Sequence, residues 1–248
     1  MKKSFKLFLL ALCAVFACLA FTGCSSPTTT PEPPVTYIGS KTPTETKAVG
    51  DIVFTDGSAS PYNDELTDEQ KAAAIAVIFY VGDENDTLGA QTLGVGLITE
   101  RTNYKGLQWC LSDAVAYDSW DYAKNMDDGK ANTDEIAGLS DYGDGTKYPA
   151  FKFCRDYTAK GFTTNWYLPA YNELKMLNAS LTEVGNALNS LDIKNPYPTY
   201  RYFSSTREYT ANQYLNIAMA FYFTDEEYLQ HLTFKKDEYK YVCAIHTF

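Results

Sequence analysis

The first 24 residues, MKKSFKLFLLALCAVFACLAFTGC, decide which part of this chain is free to fold and where it does so. Lys2, Lys3 and Lys6 precede an apolar run from Leu7 to Phe21, and Thr22 and Gly23 lead from it into Cys24. A run of that length suits an export leader and is short for a membrane span. The folded part is therefore expected to lie after residue 23, in an oxidising compartment outside the cytoplasm. The leader carries three lysines and no acid. Of the 21 basic residues 18 remain against 31 acidic ones, a net charge near −13. That balance repels nucleic acid and anionic membrane surfaces, so no nucleic-acid partner is expected.

Six cysteines are present. Cys13 and Cys18 belong to the leader, and Cys110, Cys154 and Cys243 fall in the part that folds. In an oxidising compartment three cysteines imply one disulfide and one odd thiol, with the connectivity open. No CxxC and no Cys/His cluster with zinc spacing occurs, and the only histidines are His231 and His246. No metal site and no cofactor are expected. Asp83 to Asp86 and Asp141 to Asp144 are oxygen-rich turns without EF-hand spacing, which reads as solvated acidic loop.

Ser25 to Lys47 is rich in Pro and Thr and lacks apolar periodicity, so residues 24–47 are expected to form an extended tether. About 20 such residues at roughly 3.1 Å each span some 60 Å when fully extended. The domain is expected over 48–248. Asp51 to Phe54 reads as a strand, and Thr67-Asp68-Glu69-Gln70 as a capping box opening a short helix. The continuous apolar run Ile75 to Tyr80 reads as a strand buried on both faces. Thr92 to Ile98 returns as its partner. Asp113 to Ala123 is expected to be helical, and Asn125 to Lys147 a long surface loop. Pro149 should open a helix through Lys160, ended by Gly161, with Phe151, Cys154 and Tyr157 on one face. Two more helical stretches follow, Pro169 to Asn178 and Leu181 to Leu191. Strands at Tyr202 to Ser205, Leu215 to Phe223, Tyr228 to Phe234 and Tyr239 to Thr247 complete an α+β chain.

Two resemblances add to this reading. Phe21-Thr22-Gly23-Cys24 resembles a bacterial lipobox, with Phe21 where Leu is usual. That implies diacylglycerol on the Cys24 thiol, cleavage before it, and lipid as the membrane anchor; a plain cleaved secretory leader is the alternative. Further on, the ordered segments Phe153-Cys154, Asn165-Trp166-Tyr167-Leu168-Pro169-Ala170-Tyr171-Asn172-Glu173-Leu174, Tyr202-Phe203-Ser204-Ser205-Thr206 and Tyr241-Val242-Cys243-Ala244 resemble the Lcl C-terminal and major paralogous domains of bacterial lipoproteins. These are similar in turn to formylglycine-generating-enzyme-like domains. The clear match covers 149–248. Tyr167, Phe203 and Ala244 stand where the pattern has Arg, Trp and Arg.

The resemblance implies a C-type-lectin-like α+β domain with antiparallel sheets and two or three helices. It also implies a disulfide between Cys154 and Cys243, which would stabilise by roughly 4–5 kcal/mol on a chain-entropy estimate. Cys110 would remain a buried thiol. The calcium-dependent sugar motifs of C-type lectins and the paired catalytic cysteines of the formylglycine enzymes are absent. On physical grounds Trp166 to Leu174 is a strand-to-helix corner, with Glu173 capping free N–H groups in preference to acting as a general base. Ser204, Ser205 and Thr206 read as backbone partners at a strand end, not nucleophiles. No catalytic constellation is expected. The candidate ligand surface is the aromatic and Arg cluster Tyr197, Tyr200, Arg201, Tyr202, Arg207 and Tyr209. The resulting expectation is a non-enzymatic lipoprotein of the cell envelope, at the outer membrane or cell surface, that binds an extracellular host or envelope protein or a polysaccharide. A structural envelope protein without a soluble ligand and an enzyme on a formylglycine-enzyme-like scaffold are the alternatives.

Overall fold

The computed structural model describes residues 35–62, 65–100, 106–208, 216–224 and 231–248. The leader, Cys24, the tether as far as residue 34, and Tyr209 lie outside the described residues.

The apolar run after the first helix organises everything else. Strand β3 (Ala74–Val81) is buried along nearly its whole length. It pairs antiparallel with β1 (Ile52–Phe54) on one side and β4 (Thr92–Glu100) on the other. With β2 (Ala59–Ser60) and β10 (Val242–Thr247) these make a five-stranded sheet in the order β10-β4-β3-β1-β2. Both faces of this sheet are covered, which is why β3 needs no polar alternation. Val53, Ile75, Ile78, Val242 and Ala244 pack into one apolar layer with Trp109, Phe151 and Cys154. Ile52, Phe54, Val77, Phe79, Cys243 and Ile245 pack into the opposite layer with Leu174, Leu177, Val184 and Leu188.

Five α-helices are present among the described residues, more than the two or three that the resemblance implies. Helix α1 (Asp68–Ala73) starts at the anticipated capping box: Thr67 Oγ1 accepts from Gln70 N, and the Gln70 side chain accepts from Thr67 N. Helix α2 (Gly129–Ala137) lies inside the segment expected to be loop. Its only large buried apolar residue is Ile136, so periodicity does not reveal it; Asp128 caps it by accepting from Ala131 N. Helix α3 (Pro149–Arg155) follows, shorter than expected and ended before Asp156. Helices α4 (Tyr171–Ala179) and α5 (Leu181–Ser190) cover the far layer. The strand β5 (Leu107–Gln108) pairs with β9 (Tyr239–Lys240). A second sheet has the order β6-β7-β8, from β6 (Arg201–Arg207), β7 (Ile217–Tyr222) and β8 (His231–Lys235).

Two expectations about the chain's course need correction. The compact unit begins at Thr36, not residue 48. Ile38, Gly39 and Ser40 donate backbone N–H groups to Asp56, Ser58 and Ser60, and Lys41 pairs with Ala59 through the main chain. Sequence composition shows no such tie, because the bonds are made by main chain to polar side chains some 20 residues on. The segment Asp113 to Ala123 is a series of turns, not a helix. The carbonyls of Ala116, Tyr117 and Ser119 accept from the Lys236 ammonium instead of from amides four residues ahead.

Candidate functional site

The segments around Tyr167 to Glu173, Ser204 to Thr206 and the end of the chain meet at one place. The backbone of Tyr167 exchanges two hydrogen bonds of 3.0 Å with Ile245 in β10. Pro169 then turns the chain away from the sheet, and α4 begins. Ser205 N donates to Pro169 O at 2.7 Å, and Tyr171 N donates to Thr206 Oγ1 at 3.0 Å, so β6 clamps the corner from the other side. Thr206 Oγ1 in turn donates to Asn125 O at 2.9 Å. Asn132 of α2 donates to Ser205 Oγ at 3.0 Å and to Asn125 O at 2.7 Å. Leu168 N donates to Thr133 Oγ1 at 3.2 Å. Ser204, Ser205, Thr206, Asn132 and Thr133 are all buried, and every one of these bonds satisfies a group that has no access to water.

Glu173 sits at the centre. It is 1% exposed. Its Oε2 accepts from Ala170 N at 2.6 Å and Gly129 N at 3.1 Å, and its Oε1 accepts from Tyr167 OH at 3.0 Å. One carboxyl thus caps two helices, its own and α2. A side chain on residue 129 would collide with the Leu168 carbonyl and the Glu173 carboxyl, so only glycine lets the start of α2 come this close. Burial pushes Glu173 up to about 8, against the pull of its three donors. Burial also raises the Tyr167 hydroxyl, with the Glu173 carboxyl adding to it. The carboxyl thus ties its own helix, the start of α2 and the Tyr167 hydroxyl together.

The cysteines are placed as follows. Cys110, Cys154 and Cys243 are all buried. Cys154 Sγ donates to the Cys243 carbonyl oxygen at 3.4 Å, so α3 and β10 touch at these residues. The Cys154 side chain lies in the layer of α3, and the Cys243 side chain in the layer of α4 and α5. Burial raises both well above the usual thiol range.

Most of the described members of the aromatic and Arg cluster do not form a surface. Tyr197 and Tyr202 are buried and pack with Phe223 at ring distances of 5.2 and 5.3 Å. Arg207 is buried as well, and Tyr200 stacks on Tyr241 at 4.0 Å. Arg201 alone among the described members is exposed, over the Tyr222 ring at 5.4 Å. Tyr202 of β6 packs with Tyr197 and Phe223 into the apolar layer on the larger sheet, and aromatic area is better stabilised there than in water.

Two accessible features were not read from the sequence. An open groove of about 510 Å³ runs along α3, lined mainly by Leu107, Pro149, Phe153 and Tyr157, with the Lys152–Asp156 pair (2.6 Å) at its rim. Its size is that of a ligand pocket, typically some 300–1,000 Å³. A polar cleft of about 380 Å³ opens beside Tyr167 and Lys130, bordered by Gln91, Asn125, Asp127 and Asp128. Groove and cleft each draw on stretches that lie far apart in the chain, which is why local motif reading passes over them. Among the described residues no group of three or more His, Cys, Asp or Glu is placed to hold a metal. None of their helices is long and apolar enough to cross a membrane.

The class these elements define is α+β with antiparallel sheets and helices on both faces of the larger one. No family model and no curated protein sequence matches the chain. A fimbrial protein from Bacteroides ovatus ATCC 8483 has a similar structure, with a TM-score of 0.58 and 17% identity. The likeness covers 82% of this chain and 49% of that one, so this chain spans about half that protein's length. At such identity the likeness concerns the fold alone.

Proposed function

We propose that this chain is a lipid-anchored, non-enzymatic protein of the bacterial cell surface whose domain binds an extracellular protein or polysaccharide. In this reading its finer architecture is C-type-lectin-like, the lipid is on Cys24, and the anchor is at the outer membrane or cell surface. The observation that carries it is the pairing of an open apolar groove with a sealed polar centre. Phe153 and Leu107, both half-buried, offer apolar area to a partner, whereas Glu173, Ser204, Ser205 and Thr206 are buried and bonded to groups of the protein itself.

The test is binding of the mature protein to glycan and extracellular-protein arrays, with Phe153→Asp as the groove variant. Binding confined to one ligand class and lost in the variant is expected. Silence on both arrays refutes ligand binding. Cys24→Ser should move the protein from membrane to soluble fractions, and unchanged retention refutes lipid anchoring. The lectin-like reading also calls for a Cys154–Cys243 link. Forming it requires the Cys243 side chain to cross to the α3 layer. Peptide mapping without reductant decides that point.

The fimbrial likeness favours a second reading, a structural component of the cell envelope without a soluble ligand. Co-purification with other envelope proteins, together with silent arrays, is its expected outcome.

A further inference from the structure

Helices α2 and α3 and the chain from Asn165 to Tyr167 enclose a hollow of about 140 Å³. It is bordered by Lys130, Asp134, Arg155, Asn165, Trp166 and Tyr167. Lys130 and Tyr167 also border the polar cleft of about 380 Å³, so the two spaces adjoin. The hollow is smaller than a pocket for a whole ligand, roughly 300–1,000 Å³, and the cleft falls within that range. The hollow therefore suits one functional group, and the cleft suits the body that carries it.

The donors of the hollow are largely unspent. Among the described residues Arg155 makes one hydrogen bond, to Asp134 Oδ1 at 3.4 Å, and its guanidinium lies 5.8 Å from the Tyr142 ring centroid. Lys130 Nζ donates to Asp134 Oδ2 at 2.5 Å. The Asn165 side chain, on a backbone at φ 63°, bonds to no described residue. A guanidinium with five N–H groups and an ammonium with three thus share one carboxylate whose two oxygens are both engaged. Two positive charges against one negative leave a positive unit. A group that only accepts and carries one negative charge completes the set, and the planar fork of Arg155 matches a carboxylate.

The cleft has the opposite sign. Asp127 Oδ1 accepts from the Asn172 side chain at 2.6 Å, and Asp128 Oδ1 accepts from Ala131 N at 2.8 Å. Neither carboxylate has an ion-pair partner among the described residues, and the second oxygen of each remains for a donor. Asp128 caps α2 and Asp134 lies six residues further on, about 9 Å along the axis at 1.5 Å per residue.

We propose that the hollow binds the C-terminal carboxylate of a short peptide and the cleft binds its N-terminal ammonium. The spacing selects the length. An extended chain covers at most about 3.3–3.6 Å per residue, so two or three residues span about 9 Å and a single amino acid does not. The charges select against a sugar acid. Lys130 and Arg155 against Asp127, Asp128 and Asp134 sum to one negative unit, so an anion alone is repelled at the cleft while it is attracted at the hollow. A ligand of both signs is attracted at each. The site goes beyond the groove reading and shares no lining residue with the groove along α3.

The test is calorimetric titration of the full chain with trialanine, its C-terminal amide, its N-acetyl form, and glucuronate. Trialanine is expected to bind. Amidation, acetylation and Arg155→Gln should each weaken it about tenfold or more, since each removes a charge-assisted contact. Arg155 is 40% exposed, so its replacement leaves the core intact. Phe153→Asp alters only the groove and should leave trialanine affinity at the native value. Silence with trialanine at about 10 mM, enough to fill a site of millimolar Kd, overturns the proposal. So does equal binding of trialanine and either blocked form, and so does glucuronate binding in place of the peptide. The peptide series is read on the native chain, so it decides the matter without any variant.

Discussion

Replacing Glu173 with Gln sets two opposing forces against each other. Three donors favour the ionised carboxylate, and near-complete burial favours the neutral acid. Burial prevails, with Glu173 at about 8 in the folded chain against 4.5 for the ordinary group. The sign follows by linkage. Below about 4.5 the acid is neutral in both states, and its full stability is present. As pH rises toward 8, the unfolded chain releases a proton that the folded chain keeps, so stability falls. The slope approaches about 1.4 kcal/mol per pH unit, or about 3–4 kcal/mol between pH 5 and 8 as an upper figure. A glutamine at this position fits the same space. Its carbonyl can accept from Ala170 N and Gly129 N, and its NH₂ can donate to the Tyr167 hydroxyl, which rotates. It has no proton to lose. Urea unfolding at pH 5, 6, 7 and 8 should therefore show native stability falling relative to Glu173→Gln as pH rises. Parallel profiles refute the reasoning, because they would mean that the three donors keep the carboxyl ionised in the fold.

Further outcomes follow from the same structure. His246 packs against Phe162, Trp166 and Phe248 at 5.1, 5.2 and 4.7 Å, and burial lowers its basicity. Neutral imidazole is favoured by folding, so native stability is lost as pH falls through the ordinary histidine value of 6.5. His246→Phe should remove that loss, measured as the native-minus-variant difference in urea midpoint between pH 7 and 5. Tyr202→Ala should cost about 3–5 kcal/mol, as for a buried ring, whereas Arg201→Ala should change stability by under about 0.5 kcal/mol; equal effects in thermal unfolding contradict the burial of β6. Thr67→Ala removes an N-cap and should cost about 1 kcal/mol by the same assay.

Elements with strong local signals were legible in advance. The run Ile75 to Tyr80 can satisfy its burial only as a strand covered on both faces, and it is one. Thr67 and Gln70 form the reciprocal cap that their spacing suggests. Pro169 and Glu173 do make a corner into α4, although the segment before it meets the sheet only through a single bridge from Tyr167 to Ile245 and forms no full strand. The helix expected over Asp113 to Ala123 failed for a reason no local window contains: a lysine more than 110 residues later takes its carbonyls. Helix α2 was missed because what holds it is polar. Asn132 and Thr133 face β6 and the corner, and Gly129 abuts Glu173. The cluster from Tyr197 to Arg207 looked like a contact surface because aromatic rings with arginine suit both a partner and a core. Only the packing of the second sheet against the larger one decided between these.

Local chemistry in the chain was enough to settle the α+β class, the buried central strand, and the capped corner at Pro169, because each rests on neighbours within a few residues. Tertiary structure alone decided which polar groups are sealed and which apolar groups remain open. Glu173 draws its donors from separate stretches of chain, and the groove along α3 is completed by Leu107 from the β5–β9 ribbon. Burial belongs to the assembled layers and is carried by no single segment, so the roles of these side chains came into being only when the layers closed.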